Sequence, residues 1–434
     1  MATEARPLHK PFAAHSFPPT WSWHRLDEVC EVIVDCPHST PVLTKDGPFV
    51  VRSQDIRSGV FREEAAARVS ESTYAERTAR AEPTRGDLFY SREGTYFGIA
   101  AEVPNGVRAC LGQRMVLIRP RPSVVSFRFL KYWLNSPSIA RHMAGFRDGS
   151  VAQRLNLPTI RALPVAVPPL AQQRRIAGAL GAFEDKMELN RRMNGTLESI
   201  AHAVFQSWFI DVDPVCIKAL ASEADLSGDG SIAQLADLVV VHRDSVAPGE
   251  IENEIVDHYS IPAFDDGRMP AAEFGSTIKS NKFAVQTGSV LVSRLNPRIP
   301  RVWLPTLRGS RRGVCSTEFM VLSPRPPFTR EYLYGLLRTD EFREELSSRV
   351  TGTSGSHQRV KPLDVMSIPV VSPPRRHIAA FSRLAAPLLE QVGLLREETR
   401  VLADLRDALL PRLLDGSLSP SCSNLEEGCT CPNS

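Results

Sequence analysis

The 434-residue sequence contains no run of about eighteen uncharged apolar residues, the length that a helix needs to cross a membrane. Its opening segment, MATEARPLHK, lacks the apolar core of a secretory signal peptide. We therefore expect a cytoplasmic protein without a membrane segment.

Cysteine is scarce, and neither sign of charge dominates. The eight cysteines are scattered, and the three in the terminal CSNLEEGCTCPNS have no second ligand pair and no histidine beside them. We expect free thiols there rather than a zinc site, and no disulfide framework. Lys and Arg number 52 against 49 Asp and Glu, so the net charge of +3 neither demands nor excludes nucleic acid.

The signatures of several enzyme classes are also missing. There is no Asn/Asp-Pro-Pro-aromatic loop of an adenine methyltransferase, no GxxxxGKS or GxxxxGKT phosphate loop, and no HExxH or paired CxxC motif. DLSGDGSIAQLA resembles a calcium loop, but Ala236 stands where a bidentate glutamate is needed. We therefore predict no catalytic residue, no metal site and no cofactor in this chain.

The sequence does contain a repeat with a very long period. Four segments of the first half, GDLFYSREGTYFG, GQRMVLIRP, FLKYWLNSP and GSVAQRLNLPTIRALPVAVPP, correspond in order to GSVLVSRLNPRIPRVWLP, STEFMVLSP, YLYGLLRTD and GSHQRVKPLDVMSIPVVSPP. Met115 and Met320, like Pro169 and Pro374, lie 205 residues apart. The Val-, Phe- and Tyr-rich runs are typical of strands, and FLKYWLNSP and YLYGLLRTD of helices. The repeat predicts two domains of the α/β (α+β) class.

Each half ends in a double proline followed by a heptad pattern, which predicts a long helix. The first pattern has two series: Ile176, Phe183, Asn190, Leu197 and Val204, and Leu180, Met187, Asn194, Ala201 and Trp208. The second has Phe381, Leu388, Leu395, Leu402 and Leu409 beside Ile378, Ala385 and Val392, and its stop signal is Gly416.

These two stripes predict an antiparallel coiled coil. The alternative is that each is an amphipathic helix packed on its own domain. The unbroken period and the asparagines at seam positions favour pairing, because such residues fix register. A rod of this length is on the order of 50 Å, or roughly 14 base pairs of B-DNA, and would hold a domain at each end.

Residues 155–214, which include PPLAQQRRIAGAL, DKMELNRRMN, TLESIAHAVFQSWF and DVDP in this order, closely resemble the central conserved region of the DNA-specificity (S) subunit of type I restriction-modification systems. GDLFYSREGTYFG and GQRMVLIRP resemble the first target-recognition domain of that family, and LADLRDALLPRLLDGSLS its distal conserved helix. The resemblance extends from about residue 20 to residue 418 and is weakest between Cys216 and Thr287.

The resemblance implies a non-catalytic subunit whose two domains each read one half of a bipartite target in double-stranded DNA. It also implies docking of two methyltransferase (M) subunits and, through them, restriction (R) subunits. S-adenosylmethionine, ATP and magnesium would then belong to those partners. One departure is PPRRHIAAFSRLAAP, which stands in the second half where the first has PPLAQQRRIAGALGAF.

The predicted organisation has six parts. They are an N-terminal segment (1–19), a first target-recognition domain (20–167), a central conserved helix (168–213), a second target-recognition domain (214–372), a distal conserved helix (373–416) and a flexible tail (417–434).

Candidate DNA contacts are polar and basic residues in the loops that recur in both halves, since Arg and Lys suit phosphates and Arg, Asn, Gln and Ser suit base edges. In the first half they are Ser91, Arg92, Thr95, Tyr96, Arg147, Ser150, Gln153 and Arg154. In the second half they are Ser293, Arg294, Asn296, Arg298, Thr353, Ser354, Ser356, His357, Gln358 and Arg359. An arginine in a loop is also often an ion-paired surface group, and a hydroxyl cluster is often a turn.

Candidate contacts with the M subunits lie on the first long helix. They are Arg174, Arg175, Arg191, Arg192, Phe205 and Phe209. The two phenylalanines fall off the seam, and packing on the second domain explains them equally well.

Two other functions remain open at this point. The chain could be a solitary two-domain DNA-binding or scaffold protein without functional M partners, which co-purification would test. It could also be an enzyme with its own site, which activity of the isolated chain would test.

Overall fold

The structure is a computed structural model that describes residues 17–37, 39–57, 59–94, 97–144, 155–211, 231–307, 311–350 and 358–420. It divides into two compact units. The first unit combines Met1–Lys186 with Leu402–Ser434, and the second is Met187–Val401. The sequence repeat therefore corresponds to two units, and the end of the chain returns to the first of them.

The strands of the first unit are β1 (Ser22–Arg25), β2 (Cys30–Asp35), β3 (Leu43–Val51), β4 (Ile56–Arg57), β5 (Val60–Phe61), β6 (Ala67–Val69), β7 (Leu88–Ser91), β8 (Ala100–Glu102), β9 (Ala109–Leu111), β10 (Met115–Pro120) and β11 (Pro164–Val167). Its helices are α1 (Glu71–Thr78), α2 (Phe127–Leu134), α3 (Pro137–Ala144) and α4 (Leu157–Arg161), and α5 (Leu170–Phe209) begins in it. The main sheet has the order β2-β10-β7-β8, with smaller sheets β6-β3-β9, β1-β11 and β4-β5.

The strands of the second unit are β12 (Ser231–Gln234), β13 (Val239–His242), β14 (Ser245–Val246), β15 (Ile255–Tyr259), β16 (Ala271–Phe274), β17 (Lys282–Ala284), β18 (Val290–Ser293), β19 (Val302–Trp303), β20 (Gly313–Cys315), β21 (Phe319–Pro324) and β22 (Pro369–Ser372). Its helices are α6 (Leu235–Leu238), α7 (Ile261–Asp265), α8 (Arg330–Leu336), α9 (Asp340–Ser348) and α10 (Pro362–Met366), and α11 (Arg375–Leu414) begins in it. The sheets have the orders β13-β21-β18-β19, β14-β17-β20-β15-β16 and β12-β22.

The two units repeat the same topology. The order β2-β10-β7-β8 corresponds strand by strand to β13-β21-β18-β19, and both sheets are antiparallel. The pair β1-β11 corresponds to β12-β22, with Ser22 opposite Val167 in one and Ser231 opposite Ser372 in the other. All four residues of β7 and of β18 are buried, because helices and further strands cover both faces of these sheets. The predicted mixed α/β class and the duplication are confirmed.

The two long helices begin where the double prolines predict. α5 starts directly after Pro169 and α11 directly after Pro374, since proline lacks the N–H that the first helical turn leaves unpaired. α11 ends at Leu414, and Gly416 follows with φ +77°. A Cβ there would lie 2.4 Å from Pro18 Cγ, so the stop signal needs glycine for both backbone and space.

Within the second unit, the two helices pair in antiparallel orientation. Asn190 lies beside Glu398, with Nδ2 2.9 Å from Oε2, and the rings of Phe205 and Phe381 are 5.4 Å apart. Numbering thus rises along α5 as it falls along α11. In both helices every predicted seam residue is buried or half-buried. In the first unit Ile176 and Leu180 of α5 share a core with Leu413 of α11.

Asn190 lies at the helix seam, as predicted. It is fully buried, and its Nδ2 also lies 3.5 Å from the Leu395 carbonyl oxygen and 3.4 Å from Thr399 Oγ1. A buried amide at such a position lowers stability but favours one alignment of two helices.

We expect Asn190→Leu to stabilise the protein while weakening the specificity of the helix alignment. Removing a buried amide whose Oδ1 has no hydrogen-bond partner in the described part of the chain lowers the cost of burial. The midpoint of thermal unfolding should rise by about 2–4 °C, as for a gain of about 1 kcal/mol. Calorimetry measures this shift, and a lower midpoint would contradict the prediction. Asn194→Leu, at the other seam asparagine, is the companion variant.

α11 is also the one helix of the described residues that is long and apolar enough to cross a membrane, with a mean hydropathy of 1.3 over its most apolar window. Three of its apolar residues, Ile378, Phe381 and Ala385, are buried in the core of the second unit. These three residues therefore contribute to packing inside that unit.

Candidate nucleic-acid interface

In the first unit, the backbone joins the two segments that the sequence singled out for DNA contact. Arg92 follows β7 directly, its N–H donates to the Arg114 carbonyl, and its own carbonyl accepts from Leu155 N–H at 2.9 Å. Leu155 is the first described residue after the RDGSVAQR segment. Leu155 therefore lies against the turn that follows β7.

The second unit repeats this arrangement. The Arg294 carbonyl accepts from Val360 N–H at 3.1 Å, and Arg294 N–H donates to the Glu318 carbonyl. Asn296 N–H donates to the Gln358 carbonyl at 2.9 Å. Val360 lies 205 residues after Leu155, so the sequence repeat is preserved at this contact. In each unit, the turn after β7 or β18 and the described residues that follow a later loop thus form a single candidate reading surface.

Three of the predicted contact residues are buried, which corrects the prediction for them. Ser91 and Ser293 are the last residues of β7 and β18, and their hydroxyls accept from Ile99 N–H and Leu295 N–H at 3.1 Å each. Arg92 is 5% exposed, and its Nη1 lies 3.5 Å from Asp35 Oδ2. These side chains form the buried base of each turn.

Other predicted residues of the second unit lie at the surface of the hairpin between β18 and β19. Arg298 is exposed, and Arg294 is half-buried with its Nη2 2.9 Å from the Thr317 carbonyl. Asn296 has φ +48°, and its buried Oδ1 has no hydrogen-bond partner among the described residues. The backbone turn thus presents Arg298 to solvent, while Asn296 shapes the turn.

Arg359 is held by a carboxylate. Its guanidinium makes a bidentate pair with Glu318, with distances of 2.7 Å from Nη2 and 3.0 Å from Nε to Oε1. The hydrogen bond and the charge of Glu318 raise the pKa of Arg359 above its ordinary value. A phosphate contact by Arg359 would therefore have to replace or extend this pair. Gln358, the residue before it, is half-buried and joined to the hairpin through its carbonyl.

The other predicted contact residues fall outside the described residues. They are Thr95, Tyr96, Arg147, Ser150, Gln153, Arg154, Thr353, Ser354, Ser356 and His357.

The sequence reasoning missed one basic residue at the first reading surface. Arg114 has φ +70° in the turn before β10, its side chain is 55% exposed, and its Nε lies 3.3 Å from Glu93 Oε1. The corresponding turn of the second unit carries Glu318, so the two surfaces differ in charge at this place. Arg114 lies in the motif GQRMVLIRP, directly before a predicted strand. That position could have identified Arg114 as a turn residue in the sequence.

Comparison with known proteins relates the first part of this chain to a family. Residues 18–199, which contain the first reading surface, match the family model of the type I restriction modification DNA specificity domain. This segment is similar to the DNA specificity domain of type I restriction-modification systems. The predicted resemblance is thereby confirmed.

Relatives of the specificity domain extend the likeness along the chain. The specificity subunit of the type I restriction enzyme MjaIX of Methanocaldococcus jannaschii is 22% identical over 92% of this chain and 94% of its own. That of HindI of Haemophilus influenzae is 22% identical over 77% of this chain and 87% of its own. The solved type I S subunit of M. genitalium has 13% identity and a TM-score of 0.55 over 92% of this chain and 96% of its own, a likeness of fold.

The arginines predicted to contact partners of the specificity domain lie at the surface of α5. Arg174 and Arg175 are exposed. Arg191 and Arg192 are exposed too, and each donates to Glu188 at 2.8 Å. These hydrogen bonds, that of Arg191 first, hold the pKa of Glu188 below its ordinary value.

The two phenylalanines predicted to contact partners do not reach the surface, which corrects that prediction. Phe205 and Phe209 are buried in the core of the second unit, where their rings lie 5.4 Å and 5.2 Å from that of Tyr332. The alternative interpretation, packing on the second domain, is the one that holds.

Exposed apolar residues form a second feature of both helices that the sequence reasoning missed. On α5 they are Leu189, Met193 and Ile200, and on α11 Leu394, Val401 and Leu405, each between 39% and 50% exposed. Leu394 and Leu405 lie 205 residues after Leu189 and Ile200, the offset of the repeat. Spacings of four and seven residues place each set on one helix face, and exposed apolar faces mark protein interfaces. We call these sets the α5 stripe and the α11 stripe.

A buried carboxylate joins both long helices to the second sheet region. Glu198 of α5, 8% exposed at its side chain, accepts from Arg268 Nη1 and Arg396 Nη2 at 2.6 Å each. Tyr334 Oη lies 3.1 Å from its Oε1, and Arg338 Nη1 lies 3.7 Å from its Oε2. We call these five residues the Glu198 cluster.

The pKa of Glu198 follows from two opposed effects. Burial alone would raise it, but the charges of Arg396, Arg268 and Arg338 outweigh burial, and the hydrogen bond from Tyr334 adds to them. The pKa of Glu198 therefore lies below its ordinary value. Among the described residues, no group of three or more His, Cys, Asp or Glu side chains could hold a metal ion.

Proposed function

We propose that this chain is the DNA-binding specificity subunit of a type I restriction-modification complex and that each unit reads one half of a bipartite target. The observation that carries the proposal is the repeated reading surface, in which Leu155 and Val360 bond the turns after β7 and β18 in the same way. Two surfaces with the same backbone arrangement in one chain suit a target of two blocks. The chain itself performs no catalysis in this proposal.

The stripes on α5 and α11 support a docking role. In this proposal, each binds one M subunit, and R subunits join through the M subunits. S-adenosylmethionine, ATP and magnesium belong to those partners, and the complex acts in the cytoplasm. Exposed arginines beside an exposed apolar face, such as Arg191 and Arg192 near Met193, are a composition typical of protein interfaces.

Long-read modification sequencing tests the proposal directly. DNA from cells that express this chain with its M subunit is compared with DNA from cells that lack the chain. We expect a new N6-methyladenine motif of two short fixed blocks separated by unspecified bases. A single block would mean that only one unit reads DNA, and no motif with both proteins present would support a solitary DNA-binding or scaffold protein instead.

Arg298→Ala should weaken reading by the second unit alone. Loss of one arginine that meets a base or phosphate costs about 1–3 kcal/mol of binding free energy, so affinity for the cognate duplex should fall roughly 5- to 150-fold. If Arg298 reads a base, one position of one block becomes degenerate. Binding titrations measure the loss of affinity, and the modification motif shows the degenerate position. The control is Arg343→Ala, at a residue paired with Asp340, which should leave the affinity and the motif unchanged.

Glu318→Gln should strengthen DNA binding. The substitution removes a negative charge from the reading surface and releases Arg359 from its bidentate pair. One additional phosphate contact should steepen the slope of log K against log salt by about one. Arg359→Ala in the same background should return the slope to its starting value, and an unchanged slope in Glu318→Gln would show that Arg359 does not face DNA.

A further inference from the structure

The second unit contains a cavity of about 300 Å³, whose lining shares no residue with the proposed reading surface or the two stripes. Its walls come from β15, from the segments after α7 and β19, and from α11. Gly393 adds no side chain to the α11 wall, so the cavity reaches the helix backbone there. The volume is at the lower end of the range found for small-molecule sites.

Positive charge dominates the lining. Arg268, Arg311, Arg396 and Arg400 face Asp257 and Glu397 in the cavity wall. Glu198 pairs with Arg268 and Arg396. When Glu198 is counted with Asp257 and Glu397, the four arginines still outnumber the three carboxylates. The cavity is therefore suited to an anionic ligand.

Each of the four arginines has a carboxylate partner. Glu198 binds Arg268 and Arg396 at 2.6 Å each, and Arg400 Nε donates to Glu397 Oε2 at 2.9 Å. The fourth, Arg311, lies 3.6 Å from Asp257 and is 38% exposed at its side chain. Such pre-positioned guanidinium groups favour phosphate, because their planar array of donors matches its oxygens in bidentate contacts.

The inner wall is apolar and aromatic. Trp303 and Tyr259 are almost completely buried, their rings lie 4.8 Å apart in an edge-to-face arrangement, and Leu304 lies beside them. Tyr259 Oη lies 3.4 Å from the Thr306 carbonyl, so its hydroxyl is already satisfied. Such an apolar wall suits a flat uncharged ring better than it suits a second charged group.

We propose that this cavity binds a free nucleotide, with the phosphate at Arg311 and Arg400 and the base toward the apolar wall that Trp303, Tyr259 and Leu304 form together. Phosphate chemistry and an aromatic ring are the two features that the lining selects together. The site lies wholly within the second unit and is independent of the proposed reading of DNA.

Isothermal titration of the full chain with AMP, ADP and inorganic phosphate tests the proposal. We expect saturable binding of AMP or ADP, and much weaker binding of inorganic phosphate alone. Arg311→Ala and Arg400→Ala should each weaken nucleotide binding about tenfold or more, since each removes a charge-assisted contact. Arg312→Ala is the matched control, because Arg312 is next in sequence, similarly exposed and outside the cavity.

Three results would overturn the proposal. They are no saturable nucleotide binding by the wild-type chain, equal affinity for AMP and inorganic phosphate, and unchanged binding in Arg311→Ala. A short DNA duplex provides a fourth arm: if it displaces AMP, and Arg311→Ala weakens both ligands equally, the cavity belongs to the DNA surface instead. Arg400→Ala also removes a partner of Glu397 and could lower stability. If Arg400→Ala unfolds at a lower temperature than the wild type, the test depends on Arg311→Ala.

Discussion

Glu198→Ala is expected to lower the free energy of unfolding by about 3–5 kcal/mol, because it leaves the guanidinium groups of Arg268, Arg396 and Arg338 without their shared carboxylate. Equilibrium denaturation of the full chain measures the loss. The control is Glu188→Ala on the same helix. Glu188 makes surface pairs with Arg191 and Arg192, so its removal should cost less than about 1 kcal/mol.

The pH dependence of stability separates the charge of Glu198 from its packing. Its folded pKa lies below the ordinary value of 4.5, so the stability that the carboxylate contributes is fully present above pH 4.5 and is lost as the pH falls through the folded pKa. Glu198→Gln lacks this titration. The stability of the wild type should therefore approach that of Glu198→Gln on acidification, and a difference that stays constant would show that charge is not the cause.

The second large effect is expected at the helix stripes. Leu189→Glu combined with Met193→Glu should remove one of the two M subunits of the proposed complex, since a buried unpaired charge costs several kcal/mol. Affinity at that position should fall more than about 100-fold, because each 1.4 kcal/mol is a factor of ten. Co-purification followed by mass measurement of the complex gives the stoichiometry.

A matched pair of variants tests the role of the repeat in docking. Leu394→Glu with Val401→Glu on α11 should remove the other M subunit, and all four substitutions together should abolish modification. Ser199→Glu is the control: Ser199 is exposed but lies about 100° around the helix from Ile200. If every variant retains two M subunits, the M subunits bind at a surface other than the two stripes.

The sequence predicted the long helices well because local signals define them. Double prolines mark their first turns, a heptad series marks the seam, and Gly416 marks the end of α11. Asn190 was recognised because a polar residue in an apolar series is conspicuous in sequence. Each of these signals lies within a few turns of the residue that it concerns.

Features that depend on distant parts of the chain were not predictable in this way. The heptad series identifies the partner-facing side of α5, but nothing local shows that the rings of Phe205 and Tyr332 meet. The partners of Glu198 lie 70 to 198 residues away and follow no period. Arg92 resembles Arg294 in the repeat, yet it is buried beside Asp35 of β2, whereas Arg294 remains partly accessible.

The return of the chain to the first unit has a consequence for synthesis on the ribosome. All residues of the second unit have been made by Val401, whereas the core of the first unit still lacks Leu413 and Leu414. The first unit is thus synthesised first but completed last. Trp21 and its neighbours in the core keep part of their apolar surface exposed to solvent until more than half of the polypeptide has been synthesised. Nascent chains halted before α11 is complete should therefore depend on chaperones at the beginning of the chain rather than in the middle.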